Sequence, residues 1–165
     1  MPQIQIYSET LLVSTERGPD IVDITPLLYD MLRRLNFETG LMSLFVQGST
    51  GSLTTIEYEP GAVDDLRRAI NSLADPGAFY EHEKAWHDGN GHSHVQAALL
   101  GPSVSVPVRM GKLVTGMWQQ IVLINHDVRP RERRVEATLI GIESQVLRSG
   151  VLDSTTGARD SMSGG

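Results

Sequence analysis

The chain has 165 residues, a net charge of −6 and no cysteine. Its hydrophobic fraction of 40% and charged fraction of 21% are ordinary for one globular domain able to bury a core, and the length is too short for a complete (β/α)8 barrel. The missing cysteines exclude disulfides, thiolate zinc sites and cysteine nucleophiles, and the acidic balance argues against a nucleic-acid-binding surface.

The first residues, MPQIQIYSE, lack a basic region followed by an apolar stretch, and no apolar run reaches the roughly 20 residues of a membrane-spanning helix. No nucleic-acid or membrane partner is expected, and the cytoplasm is the expected compartment. QIQIY alternates as a half-buried strand, with Ile4 and Ile6 on one face, and LLVST is expected to return as its partner. DITPLLYDMLRRL follows. Here Thr25 is the expected cap, Pro26 suits the first helical position, and Leu27, Leu28, Met31, Leu32 and Leu35 share a face, with Gly40 just past the end.

GLMSLFVQ and SLTTIEYE read as strands. After Pro60, the positions Ala62, Val63, Leu66, Ala69, Ile70 and Leu73 repeat at helical spacing, and a loop follows from Ala74 through Pro76 and Gly77. SVSVPVRM sets Val104, Val106 and Val108 on one strand face, while Pro107 requires an edge or a bulge. QQIVLINHD and RRVEATLIGI are two further strands. Strands that do not alternate regularly with helices predict an α+β fold, a mainly antiparallel, sandwich-like sheet with two main amphipathic helices and one short helix. Residues 1–142 form the expected single domain, and residues 143–165 a short extension with a flexible polar tail.

The chemistry concentrates in WHDGNGHSHVQAALLGPS, residues 86–103. Four of the five histidines (His82, His87, His92 and His94) lie between positions 82 and 94. Imidazole is the commonest metal ligand and a proton shuttle near neutral pH. Asp88-Gly89-Asn90-Gly91 is turn chemistry, and Ser93 with Gln96 three residues later fits a capping box before VQAALL, stopped by Gly101-Pro102. His94 would then sit in the first turn of a short helix, beside free N–H groups that suit phosphate and disfavour positive charge. A plain capped turn explains the same residues.

Other candidates carry equally simple structural readings. Glu57 can be a solvent-facing strand carboxylate. Arg131, Arg133 and Arg134 can bind phosphate or form a solvated face. Trp118 with Gln119 can stack on a ring or fill core, and Asp64 and Asp65 complement a helix dipole.

FVQGSTGSLTTIEYEPG, DGNGHSHVQAALLGPSVSVPV, GKLVTGMWQQIVL and RERRVEATLIG, in this order, resemble the YjbQ-like family, also called the secondary thiamine-phosphate synthase group. The resemblance runs from about Gln3 to Gly141. It implies an α+β sandwich-like subunit, assembled as a homotrimer, that joins a pyrimidine methyl pyrophosphate to a thiazole phosphate as a side activity. The family's polar positions fall on Glu57, His82, Asp88, Asn90, His94, Trp118, Gln119, Arg133 and Arg134. Glu57, Asp88 and His94 are then the expected catalytic groups, and Asn90, Trp118, Gln119, Arg133 and Arg134 the substrate-binding ones. Glu57 and Asp88 suit Mg²⁺ on pyrophosphate, whereas His82, His94 and Glu57 suit a zinc-type ion, so a divalent metal, Mg or Zn, is the expected cofactor. The chain departs from the resemblance at Gly48, where many members carry histidine, at Ile56 in place of asparagine, and at Met117 in place of a small residue.

Overall fold

The computed structural model describes residues 3–144; the expected tail lies outside them, apart from its first two residues. Strands β1 (Gln5–Thr15), β3 (Phe37–Val46), β5 (Ser103–Arg109), β6 (Lys112–Leu113) and β8 (Arg131–Glu143) form one antiparallel sheet in the order β1-β8-β3-β5-β6. A second antiparallel sheet orders β2 (Asp20–Asp23), β7 (Gln120–Asn125) and β4 (Gly51–Ile56) as β2-β7-β4. The helices are α1 (Thr25–Arg34), α2 (Pro60–Leu73), α3 (Glu83–Trp86) and α4 (Gly91–Leu100). The fold is thus α+β with antiparallel sheets, as the element order predicts. Among the described residues no helix is long and apolar enough to cross a membrane.

One core joins Met42, Leu44, Val135 and Leu139 of the larger sheet to Leu53, Ile121 and Leu123 of the smaller, with Leu28, Met31 and Leu32 of α1 filling it. A second cluster joins Ile21, Val122 and Ile124 to Val63 and Ile70 of α2. β7 therefore buries both faces, which is why Ile121–Ile124 reads as an unbroken apolar run rather than an alternation. β5 pairs fully with β3 but meets only the two residues of β6 on its other side, so Pro107 has no ladder bond to withhold there.

The larger sheet leaves its outer face uncovered by the described residues. Strand register brings Ile6, Ile140, Leu41 and Pro107 into one transverse row on that face, beside a row of Ser8, Thr138, Ser43 and Ser105. Ile6 is 68% exposed.

Several local expectations are corrected. QIQIY and LLVST do not form a hairpin: residues 5–15 are one strand paired with β8, because Ser8-Glu9-Thr10 between them offers no glycine, proline, asparagine or aspartate to turn the chain. Thr25 does not cap α1. Ile24 is its N-cap, Asp23 Oδ1 accepts the Thr25 N–H at 2.9 Å, and Thr25 Oγ1 instead accepts from the Ile121 N–H at 2.9 Å. Gly40 does not end that helix. It pairs with Gly141 across β3 and β8, where the Phe37 ring covers both and a Cβ on either would fall under 3 Å from its neighbours. Helix α3 had no counterpart in the sequence reading.

Candidate functional site

α4 begins earlier than VQAALL suggests, at Gly91, and Asn90 is its N-cap. Ser93 is not a cap: fully buried, it donates to the His126 carbonyl at 2.6 Å. Gln96, the other half of the expected box, is also buried and donates to the Ala74 carbonyl at 3.0 Å. His94 is the residue whose N–H makes a helical bond, to the Asn90 carbonyl at 3.2 Å. The free donors lie before it, and those of Asn90 and Gly91 are taken. Glu83 Oε2 accepts the Gly89 N–H and Oε1 the Gly91 N–H, each at 2.9 Å, and Asp88 Oδ1 accepts the Asn90 N–H at 3.0 Å. These bonds hold the Glu83 and Asp88 carboxyls below the usual carboxylate range. Part of the helix start that suited phosphate is thus occupied by the chain's own carboxylates, Glu83 and Asp88.

Two histidines meet at this end. The rings of His82 and His94 have centroids 4.5 Å apart, and His82 also stacks on Trp86 at 6.4 Å. His94 Nδ1 lies 3.3 Å from the Ser49 carbonyl, which only accepts, so Nδ1 carries the proton and Nε2 keeps a lone pair in the neutral ring. His82 Nε2 is buried without a hydrogen bond; Asp88 Oδ1 stands 3.5 Å away, close enough for an ion pair but too long for a good bond.

His94 borders a cavity of about 500 Å³ whose other walls include Phe45, Gly48, Gly51, Ala97 and Pro102. Arg133 lies beneath residues 48–51. Its Nε donates to Asn125 Oδ1 at 3.1 Å and its Nη2 to Thr50 Oγ1 at 2.6 Å and to the Thr50 carbonyl at 3.0 Å. Arg134 points the other way and is exposed, since neighbours on a strand face opposite sides of the sheet. The two arginines therefore do not form one clamp.

Asn90 is committed to the scaffold: its Nδ2 donates to Asp127 Oδ1 at 3.3 Å and its Oδ1 accepts the Val128 N–H at 3.1 Å. Glu57, Trp118 and Gln119 sit elsewhere. Glu57 is exposed just beyond β4, Trp118 is 67% exposed, and Gln119 Nε2 donates to Thr55 Oγ1 at 2.9 Å near the end of that strand. β4 starts at Gly51 beside the cavity, so its length separates the two groups by about 20 Å. Within one chain Glu57 does not join His82 and His94. Among the described residues no three His, Asp or Glu side chains are grouped to hold a metal ion. A zinc-type ion with three protein ligands fits these residues only if a second copy supplies one.

Sequence reading missed the polar network behind the cavity. His126 Nε2 lies 2.7 Å from Ser52 Oγ, and its Nδ1 lies 3.1 Å from Gln96 Oε1. Because the Gln96 amide nitrogen is engaged elsewhere, its oxygen faces the ring, so Nδ1 is protonated and Ser52 donates to Nε2. Burial first, then the Arg133 charge, pushes the His126 pKa down to about 4. Asp127 is the second centre. Burial disfavours its charge, yet bonds from Arg131, Asn90 and Thr50 side chains and the Arg129 N–H outweigh that and lower its pKa. The fifth histidine and the Asn-His-Asp sequence closing β7 were the available signals. Glu83 offered none.

The class defined by these observations is an α+β protein with a cavity at a capped helix start, flanked by paired imidazoles and a buried arginine. The family model described as UPF0047 protein YjbQ-like matches residues 9–142. A UPF0047 protein of Archaeoglobus fulgidus is 36% identical over 126 residues, spanning 76% of this chain and 94% of its own. One from Methanothermobacter thermautotrophicus is 30% identical over 138 residues, spanning 84% and 94%. The crystal structure of a YbjQ-like protein of unknown function from Sulfolobus solfataricus P2 is similar with a TM-score of 0.79 at 32% identity, covering 84% of this chain and 99% of that one. The chain belongs to the YjbQ/UPF0047 family.

Proposed function

We propose that this chain is a small-molecule enzyme that handles a phosphorylated ligand in the cavity beside His94, with thiamine-phosphate synthase chemistry as a side activity. The observation that carries this reading is that His94, Gly48 and Gly51 line one cavity, with the Arg133 guanidinium directly behind Gly48. In that chemistry the carbon–oxygen bond to pyrophosphate breaks, the thiazole nitrogen forms the new carbon–nitrogen bond, and pyrophosphate leaves with the electron pair. Arg133 would offset the charge gathering on the leaving group, with His94 lining the same cavity. Asp88 would support a divalent ion on the pyrophosphate, and Glu57, Trp118 and Gln119 would take part from a second copy. The homotrimer implied by the family resemblance supplies that copy, with the sheets sandwich-like about their shared core and the uncovered Ile6–Ile140–Leu41–Pro107 row as the meeting face. The compartment is the cytoplasm. Steady-state release of pyrophosphate from the two substrates tests this reading: wild type should turn over and His94→Ala should not. Equal rates in wild type, His94→Ala and Glu57→Gln would end it.

A second reading is favoured by His82 Nε2, buried without a hydrogen bond and beside His94. There the paired imidazoles hold a zinc-type ion completed by Glu57 of another copy. Elemental analysis of purified protein should then find zinc near one per chain in wild type and little in His82→Ala.

A further inference from the structure

Arg133 is 6% exposed, and two of its three guanidinium nitrogens are engaged by Asn125 and Thr50. The third, Nη1, has no hydrogen-bond partner among the described residues. Only His82 Nε2 is a buried side-chain polar atom without a partner among the described residues, so Nη1 still reaches solvent and stands open to an incoming acceptor. The approach to Nη1 is defined by Gly48. A Cβ built there would stand 3.0 Å from Nη1, with no other atom outside its chain neighbours within 4 Å. The backbone φ of +109° at Gly48 suits glycine as well. Gly48 also lines the cavity. The volume that a side chain would fill is therefore the volume in front of Nη1.

We propose that Gly48 sets ligand choice at this site: its missing side chain admits one oxygen of an oxyanion to Nη1 of Arg133, while an apolar ligand body rests in the cavity. This deepens the anion-handling reading above and rests on it. The ligand class follows from two features. Only one guanidinium nitrogen is open, so the anion is held through a single oxygen rather than by a two-pronged fork. The walls beyond it, Phe45, Val46, Ala97, Ala98 and Pro102, carry no charge and offer no side-chain hydrogen bond, which rewards an apolar body and penalises a polar one. A carboxylate and a phosphate monoester share this chemistry.

Calorimetric titration of the full chain with benzoate, phenyl phosphate and inorganic phosphate tests the proposal, with thermal melts to verify folding. In wild type at least one aromatic anion should bind about tenfold or more tightly than inorganic phosphate, as burying part of a ring predicts. Tighter benzoate identifies a carboxylate as the natural head group, and tighter phenyl phosphate a phosphate ester. Gly48→Ala should lose all three anions. Ala98→Leu narrows the cavity without touching the strained backbone; it should lose the aromatic advantage and keep inorganic phosphate. Equal affinity for all three anions in wild type, aromatic binding unchanged in Ala98→Leu, or a folded Gly48→Ala that binds as wild type would each overturn the proposal. Failure of all three anions to bind wild type would remove the anion-handling reading too, whereas binding of inorganic phosphate alone would overturn only the present proposal, by removing its apolar ligand body.

Discussion

Glu83 accepts the Gly91 N–H at 2.9 Å, so the carboxylate of one helix closes the start of the next. Its other oxygen holds Gly89, which makes the turn between α3 and α4 a rigid strap rather than an open anion cradle. Glu83→Ala should release both amides: hydrogen exchange at Gly89 and Gly91 should speed up by about tenfold or more while the β7 amides stay protected. Glu83→Gln, which keeps one acceptor, should fall between the two. Unchanged exchange in Glu83→Ala would show that the strap is held by other bonds.

His126 makes stability depend on pH in a predictable direction. Its folded pKa of about 4 lies below the ordinary histidine value near 6.5, so between these values the unfolded chain binds a proton that the folded one refuses. The stabilisation is complete above pH 6.5 and is lost as pH falls towards 4, on the order of 3 kcal/mol in all. Urea unfolding at intervals across that window should show the slope. His126→Asn should be less stable at neutral pH, with a flatter profile.

Asp127 gathers Arg131, Asn90 and Thr50, and ties the loop after β7 to the start of α4. Asp127→Ala leaves buried donors without acceptors, and about 3 kcal/mol of stability should go with it. Chemical denaturation should detect the loss as a lower midpoint with little change in slope.

Gly141 faces Gly40 with no room for a side chain. A Cβ at Gly141 would stand 2.1 Å from the Thr39 carbonyl oxygen and 2.7 Å from the Gly40 Cα. Gly141→Ala must push β3 and β8 apart beneath the Phe37 ring, at a cost of about 2 kcal/mol. A thermal melt matching wild type would show that the strands can part there freely.

Arg134 supplies the control for Arg133. Strand alternation sets it on the outer face, so Arg134→Ala should leave anion affinity in the cavity within about twofold of wild type. A tenfold loss would restore the two arginines as one clamp.

The sequence carried the elements better than their partners. Leu28, Met31 and Leu32 announced α1 through helical spacing, and Val63 and Ile70 announced α2, because each pattern is local. Whether residues 5–15 were two strands or one depended on β8, more than a hundred positions away, and nothing in Ser8-Glu9-Thr10 marks that pairing. The opposite faces of Arg133 and Arg134 were readable from strand alternation once RRVEATLIGI was taken as a strand, yet adjacency suggested a pair. Motif resemblance brought His82 and His94 forward, and the fold sets their rings side by side. It was silent on separation in space: Glu57 and His94 could meet within one subunit or across a symmetry contact, and the strand between them leaves only the second. Glu83 went unnoticed because its partners are backbone amides in a turn, which leave no trace in side-chain chemistry.

β4 gives the molecule a fixed yardstick. With the imidazole pole at one end and the tryptophan–glutamine pole at the other, no side-chain rotation can bring the two together, and a hydrogen-bonded strand does not shorten. If both poles serve one reaction, the working unit is a ring of copies, and a mixed assembly of His94→Ala and Glu57→Gln chains should regain activity that neither mutant has alone.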